Sequence, residues 1–113
     1  DTGEGSLAVE FVCPSITSPG FPPVIAETGA ATIMGVSPHI KYAELSKHGY
    51  VILDINKQRV QADWFYVEHI KHTSTDEKFG TGYATNSGEN HVRKVEQPSS
   101  HTGVETAFAP VTR

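Results

Sequence analysis

The sequence predicts a mostly β fold with one short helix, an α+β arrangement built on an antiparallel meander. Short runs of β-branched and aromatic residues recur between turn-forming residues, which is typical of strands. Only residues 24–36 place apolar side chains at an approximately helical spacing. A chain of 113 residues is long enough for one domain with a modest core.

Residues 7–13 are a compact apolar run that stops at Pro14, and they predict a strand. Glu10 alone interrupts the run, so we expect this strand to lie inside a sheet with neighbours on both sides. Cys13 is the only cysteine, which excludes an internal disulfide. We expect it to be a small buried residue, because no neighbouring His or basic residue would activate a thiolate.

The predicted helix at residues 24–36 is followed by Pro38, which disfavours helical geometry in the residue before it. Three further runs predict an antiparallel meander, at residues 39–45, 48–55 and 59–69. In the last of them one face is apolar and aromatic, and its members are Val60, Ala62, Trp64 and Tyr66. We expect another part of the protein to cover this face, because small isolated sheets are marginally stable.

From residue 71 the chain becomes polar. Residues 79–85 and 91–95 predict a hairpin, in which Gly88 can take the positive φ that a turn needs. The residues after Glu96 predict an extended or disordered tail. The expected division is therefore 1–70, with a strand, loop, helix and three-strand meander, and 71–113, with the polar hairpin and tail.

Composition and motifs exclude several classes of function. A net charge of −4 offers no basic surface for nucleic acid, and no apolar run is long enough for a transmembrane segment. The close pair His69 and His72 would point to opposite faces of a strand, so we interpret them as surface histidines and expect no metal site. Phosphate-loop and nucleophile-elbow motifs are absent. We expect no stand-alone active site.

Three segments, in order and spacing, carry a family resemblance. They are LAVEFVCPSITSPG (residues 7–20), SPHIKY (residues 37–42), and HGYVILDI (residues 48–55) followed by RVQADWFYV (residues 59–67). Together they resemble the C-terminal part of alkaline phosphatase D-like (PhoD-like) metallophosphoesterases. Two positions depart from the family pattern, since Ser37 stands where Asn is usual and Cys13 where Thr or Gly is common.

The resemblance implies that this segment completes a calcineurin-like αββα sandwich in a phosphomonoesterase or phosphodiesterase. Such a parent enzyme would be periplasmic or secreted and would hold calcium and iron. The family's Gly-Asp-x-His and Asn-His-Asp motifs precede the matched region and are not found in these residues. We therefore expect a fragment whose catalytic residues lie upstream of Asp1, whose partner is the N-terminal remainder of the enzyme, and which is inactive alone.

Within the resemblance, four residues are the candidates for contact with a phosphate-ester substrate: Thr17, Ser18, His39 and Lys41. They lie on loops beside the matched strands, and their side chains can donate hydrogen bonds to phosphate. The alternative is structural, with hydroxyls that cap turns and a histidine that ties two loops together.

Two other functions remain open at this point. One is a stand-alone β-type binding module that presents Trp64, Phe65 and Tyr66 as an exposed ligand platform. The other is an oligomer in which strands of this chain pair with copies of themselves.

Overall fold

The structure, a computed structural model, describes residues 2–100. It contains one helix and four strands: α1 Pro23–Val36, β1 His48–Ile55, β2 Arg59–Val67, β3 Glu77–Asn86 and β4 Arg93–Val95. The predicted mostly β class with one short helix is confirmed, and so is the antiparallel meander.

The four strands form one sheet in the order β1-β2-β3-β4, and each neighbouring pair is antiparallel. The β1–β2 hairpin turns on Asn56, whose side-chain Oδ1 accepts the backbone N–H groups of Gln58 (2.9 Å) and Arg59 (3.0 Å). A backbone hydrogen bond from the N–H of Asn56 to the carbonyl of Arg59 (3.0 Å) closes the same turn, and the side-chain bonds reinforce it. A tight hairpin therefore joins two of the runs that the sequence predicts as strands, 48–55 and 59–69.

The predicted second hairpin is also present, with shifted bounds. β3 is longer than expected and β4 is shorter. Gly88 has φ 82° in the turn between them, a conformation that costs glycine little and other residues more. Since β3 also pairs with β2, the hairpin belongs to the same sheet as β1 and β2. The tail beyond residue 100 lies outside the described residues, and the division at residue 70 stays a prediction.

The core lies on one face of this sheet. Ala62, Trp64 and Tyr66 are buried there, as the alternation along β2 predicts. Phe11 and Tyr83 pack against them, and Phe11 comes from the segment that precedes the helix. The expectation that another part of the protein covers the aromatic face is met by this segment.

The opposite face of β2 carries a buried polar pair. Gln61 is 6% exposed and Asp63 is 1% exposed. The Asp63 carboxylate accepts hydrogen bonds from Gln61 Nε2 (2.9 Å) and from the backbone N–H of Ser99 (2.8 Å), while Gln61 Nε2 also donates to the carbonyl of Gln97 (3.2 Å). The segment 97–99 thus crosses this face and is bound to it through its backbone.

Residues 7–13 do not form the predicted strand. Leu7 is 93% exposed, Val12 is 68% exposed and Cys13 is exposed rather than buried. The segment crosses the sheet face, where Phe11 packs on Trp64 and the Val12 carbonyl accepts the indole N–H at 3.0 Å. A strand needs a neighbour that completes its backbone hydrogen bonds, and none lies beside this segment among residues 2–100.

Residues 39–45 do not form a strand either, so the observed meander begins at β1. A turn closes at the start of this segment, where the N–H of Ile40 donates to the carbonyl of Ser37 at 2.9 Å. Tyr42 then packs on the aromatic face. As in the earlier segment, side-chain packing across the sheet takes the place of strand pairing.

Helix α1 matches its prediction within one residue and begins with a proline in its first turn, a favourable position for proline. Its only buried residue is Ala26, whereas Val24 is 81% exposed and Val36 is 75% exposed. The helix therefore presents apolar side chains to its surroundings. Within residues 2–100, no helix is long and apolar enough to cross a membrane.

Candidate functional site

The loop at residues 15–20, here named the hydroxyl loop, carries Thr17 and Ser18, both exposed. Inside it the Ser15 hydroxyl donates to the carbonyl of Ser18 at 3.1 Å. Among residues 2–100 the side-chain hydroxyls of Thr17 and Ser18 have no hydrogen-bond partner. Two neutral donors are therefore available to an external acceptor such as a phosphate oxygen.

The hydroxyl loop is attached to the start of β1 by its backbone. The N–H of Gly49 donates to the carbonyl of Ser15 at 3.1 Å, and His48 Nε2 lies 2.7 Å from the carbonyl of Ser18. Since a carbonyl only accepts, the imidazole donates through a protonated Nε2. Just beyond the loop, the N–H of Phe21 donates to the carbonyl of Leu45 at 3.1 Å. These contacts fix the path of the loop.

The other two candidates lie in a different place. His39 and Lys41 are exposed residues of the turn after α1, and the Lys41 ammonium donates to the carbonyl of Pro38 at 2.6 Å. Both line a cleft of about 910 Å³ on the aromatic face of the sheet. Thr17 and Ser18 do not line it. The structure therefore groups the four candidates into two pairs.

The floor of this cleft is a packed aromatic cluster. Ring centroids of Phe11 and Trp64 lie 5.9 Å apart in a T-shaped arrangement, and those of Tyr42 and Tyr83 lie 5.8 Å apart. The Tyr42 hydroxyl bonds to the Tyr66 hydroxyl at 2.7 Å. Because these rings contact one another and their polar atoms have protein partners, the cluster is structural packing.

Burial in this cluster affects the titration of its phenols. Desolvation, together with the hydrogen bond to Tyr42, raises the pKa of Tyr66 well above its ordinary value, and burial raises the pKa of Tyr83. Both phenols stay neutral at physiological pH. They offer no charge to a ligand.

The charge lining the cleft does not favour an anion. Glu4, Glu10 and Glu44 line it together with Lys41. Burial alone would raise the pKa of Glu44, but hydrogen bonds from the N–H and hydroxyl of Ser46 and from the N–H of Lys47 outweigh it and lower that pKa. Glu44 is therefore ionised at neutral pH. For a phosphate ligand, the hydroxyl loop is the better placed of the two pairs.

We found no metal-binding site in the described part of the chain. Within residues 2–100, no group of three His, Cys, Asp or Glu side chains is arranged to hold an ion. His69 and His72 lie beyond the end of β2, and their exposed rings contact each other with centroids 4.7 Å apart. They do not point to opposite faces because the strand ends at Val67. The pair supplies two ligands at most, fewer than a protein calcium or iron site uses.

A family model described as PhoD-like phosphatase matches residues 1–64, more than half of the chain. The chain belongs to the PhoD-like phosphatase family. The matched region of this PhoD-like chain contains the hydroxyl loop, α1, the turn after α1 and β1. Searches of the curated proteins and of the solved structures found no match. The family relates the chain to hydrolases of phosphate esters.

Sequence reasoning missed two features of the PhoD-like chain. His48 was predicted only as the first residue of a strand, and its contact with Ser18 spans 30 residues, so no local pattern predicts it. The Gln61–Asp63 pair did leave a signal, because two polar residues interrupt one face of an otherwise apolar strand. A buried carboxylate requires hydrogen-bond donors, and that requirement predicts a covering segment.

Proposed function

We propose that this chain is part of a metal-dependent phosphomonoesterase or phosphodiesterase, to which it contributes sheet strands and a wall of the substrate cleft. The observation that carries the proposal is the PhoD-like phosphatase match over residues 1–64. Because the described residues hold no metal site, the proposal assigns the metal ligands to the N-terminal portion of the same enzyme. In the proposal those metals are calcium and iron, and the enzyme is periplasmic or secreted.

Exposed apolar surface supports the docking of this chain on a larger body. Leu7, Val24, Val36 and Ile55 are each at least two-thirds exposed. Among residues 2–100, the outer edge of β1 has no strand beside it. Exposed apolar patches and open strand edges commonly mark surfaces that another part of a protein covers. In this proposal the N-terminal portion covers them, and the sheet completes a calcineurin-like αββα sandwich.

The hydroxyl loop supplies the contact with substrate. Hydroxyl groups donate hydrogen bonds to phosphate oxygens without adding charge, so Thr17 and Ser18 can orient an ester beside metal ions held by other residues. When bound, the metals would supply a hydroxide nucleophile and stabilise the phosphoryl oxygens. His39 and Lys41, in the turn after α1, are further donors, although the acidic residues that line the same cleft weaken their attraction for phosphate.

The test compares residues 1–113 alone with the same residues joined to the N-terminal portion, each supplied with calcium and iron and assayed on bis(p-nitrophenyl) phosphate. We expect hydrolysis by the longer polypeptide only. In that polypeptide, Thr17→Val and Ser18→Ala should each lower kcat/KM about tenfold, the effect of one hydrogen bond to a charged group. Metal-dependent turnover by residues 1–113 alone would show that the reactive groups lie here and overturn the proposal. Inactivity of the longer polypeptide would also overturn it.

The alternative of a binding module with an aromatic platform is not favoured. It required exposed rings, but Trp64 and Tyr66 are each 7% exposed. Phe65 is only half-buried, yet it stacks on Tyr50 with centroids 5.5 Å apart and contacts Phe79 edge-on. Self-association by strand pairing between copies of this chain stays a prediction, and a solution mass measurement tests it.

A further inference from the structure

We propose that His48 is a positioning residue that holds the hydroxyl loop in the conformation in which Thr17 and Ser18 meet a phosphate ester. This inference rests on the proposed function, since it assumes that the loop contacts substrate. The carrying observation is the 2.7 Å contact between His48 Nε2 and the carbonyl of Ser18. His48 acts through the loop and does not itself contact the ester.

The loop is attached on either side of this contact as well. The carbonyl of Ser15 accepts the N–H of Gly49, and the N–H of Phe21 donates to the carbonyl of Leu45. These two bonds fix the ends of the loop and leave its middle to be fixed by a side chain. His48 supplies that side chain, and Ser15 Oγ bonds to the same carbonyl. The two donors hold the peptide that follows Ser18.

Sterics restrict the loop further. A Cβ on Gly20 would lie 2.7 Å from the carbonyl oxygen of Ser46, so the loop backbone touches the chain that leads into β1. Pro19 restricts Ser18 to extended geometry, because a residue before proline avoids the helical region. The carbonyl that His48 holds therefore belongs to a residue whose backbone is already restricted. The hydrogen bond from His48 adds a long-range restraint to a peptide that otherwise has only the local bond from Ser15 Oγ.

Because the contact is exposed, we expect its loss to affect the conformation of the loop more than the stability of the fold. The contact lies in an exposed environment, so water replaces the imidazole when His48 is changed, and little global stability is lost. The loop instead samples more conformations, and fewer of them present both hydroxyls correctly. Small displacements of positioning groups lower reaction rates strongly, because binding then no longer aligns the reacting atoms.

The experiment uses the metal-loaded enzyme that contains this chain, with bis(p-nitrophenyl) phosphate as the substrate. The variants are Ser18→Ala, His48→Leu, His48→Gln and the double variant His48→Leu/Ser18→Ala. His72→Leu is the matched control, because it makes the same change at an exposed histidine away from the loop. The melting temperature is measured for each, together with the amide hydrogen exchange of Gly49 and Phe21, whose N–H groups form the hydrogen bonds at the two ends of the loop.

We expect His48→Leu to lower kcat/KM about tenfold, as Ser18→Ala does. The double variant should be little worse than either single variant, because the two residues act as one unit. His48→Gln, which keeps an N–H donor, should recover most of the activity. Exchange at the hydrogen-bonded amides of Gly49 and Phe21 should become faster in His48→Leu, with the melting temperature close to that of His72→Leu.

The outcomes separate this inference from the proposed function. If Ser18→Ala lowers kcat/KM while His48→Leu behaves like His72→Leu, the loop contacts substrate and His48 does not position it. Multiplicative losses in the double variant, or a failure of His48→Gln to restore activity, would also overturn the role of His48. If neither Thr17→Val nor Ser18→Ala changes the kinetics, the role of the loop in the proposed function fails, and this inference fails with it. Should His48→Leu lower the melting temperature, the exchange and kinetics of His48→Gln decide the question.

Discussion

Replacement of Asp63 by asparagine should destabilise the fold more than any surface charge change in this sheet. The carboxylate is 1% exposed and accepts two hydrogen bonds, from Gln61 Nε2 at 2.9 Å and from the backbone N–H of Ser99 at 2.8 Å. Asparagine keeps one acceptor oxygen and turns the other position into a donor, which then faces an N–H group. One charge-assisted bond is lost, and a buried donor is left without an acceptor.

The magnitude follows from these two losses. A hydrogen bond to a charged group contributes about 1.5–3 kcal/mol to stability. Part of this is recovered, because the uncharged side chain is less costly to bury. We therefore expect Asp63→Asn to lower the free energy of unfolding by about 2 kcal/mol.

Asp54→Asn is the matched control. Asp54 pairs with Arg59 at 2.9 Å, but their side chains are 29% and 28% exposed, and exposed pairs of this kind contribute less than about 1 kcal/mol. Urea denaturation followed by the fluorescence of Trp64 measures both variants, and amide exchange at Ser99 reports the segment 97–99 directly. Equal losses for the two variants, or unchanged exchange at Ser99, would refute the anchoring role of Asp63.

Three further changes have defined outcomes. The hydrogen bond to Glu77 raises the pKa of Tyr50 to about 12. The stabilisation that this bond gives the folded state is therefore complete below the pKa of an unfolded tyrosine, about 10, and is lost as the pH rises through about 12. Tyr50→Phe should therefore lower the free energy of unfolding at neutral pH but not above pH about 12. Denaturation of both proteins as a function of pH measures this, and a difference between them that does not change with pH would contradict it. Phe11→Ala removes a half-buried ring from Trp64 and should cost about 2 kcal/mol, with a red shift of tryptophan emission; unshifted emission would contradict the packing. Gly88→Ala should cost about 1 kcal/mol because φ is 82°, and an unchanged melting temperature would indicate another turn geometry.

The sheet and helix were predictable because their signals are local. The turn chemistry of Asn56 and Gly88 and the apolar alternation of β1 and β2 are encoded within a few residues. Residues 7–13 and 39–45 have strand-like composition, but a strand also requires a partner edge, which composition does not specify. In both segments one aromatic side chain, Phe11 or Tyr42, packs across the sheet instead.

The candidate site was predictable only in part. A hydroxyl-rich loop and a Pro-His segment are visible in the sequence, but the sequence does not show whether they lie together in the folded protein. The structure shows that His39 and Lys41 share a cleft that the hydroxyl loop does not enter. The contact that fixes the loop joins His48 to a carbonyl 30 residues earlier, and a backbone acceptor carries no residue-type signal. Such contacts follow from tertiary packing alone.

The hydrogen bond between the Trp64 indole and the carbonyl of Val12 has a consequence for how the protein folds. It links positions 52 residues apart, whereas the hairpins close over short turns. Long loops close more slowly than short ones, so the meander should assemble first and the leading segment should settle on it afterwards. Because the chain has a single tryptophan, stopped-flow fluorescence would follow that final step, and a signal that completes before the sheet forms would reverse the order.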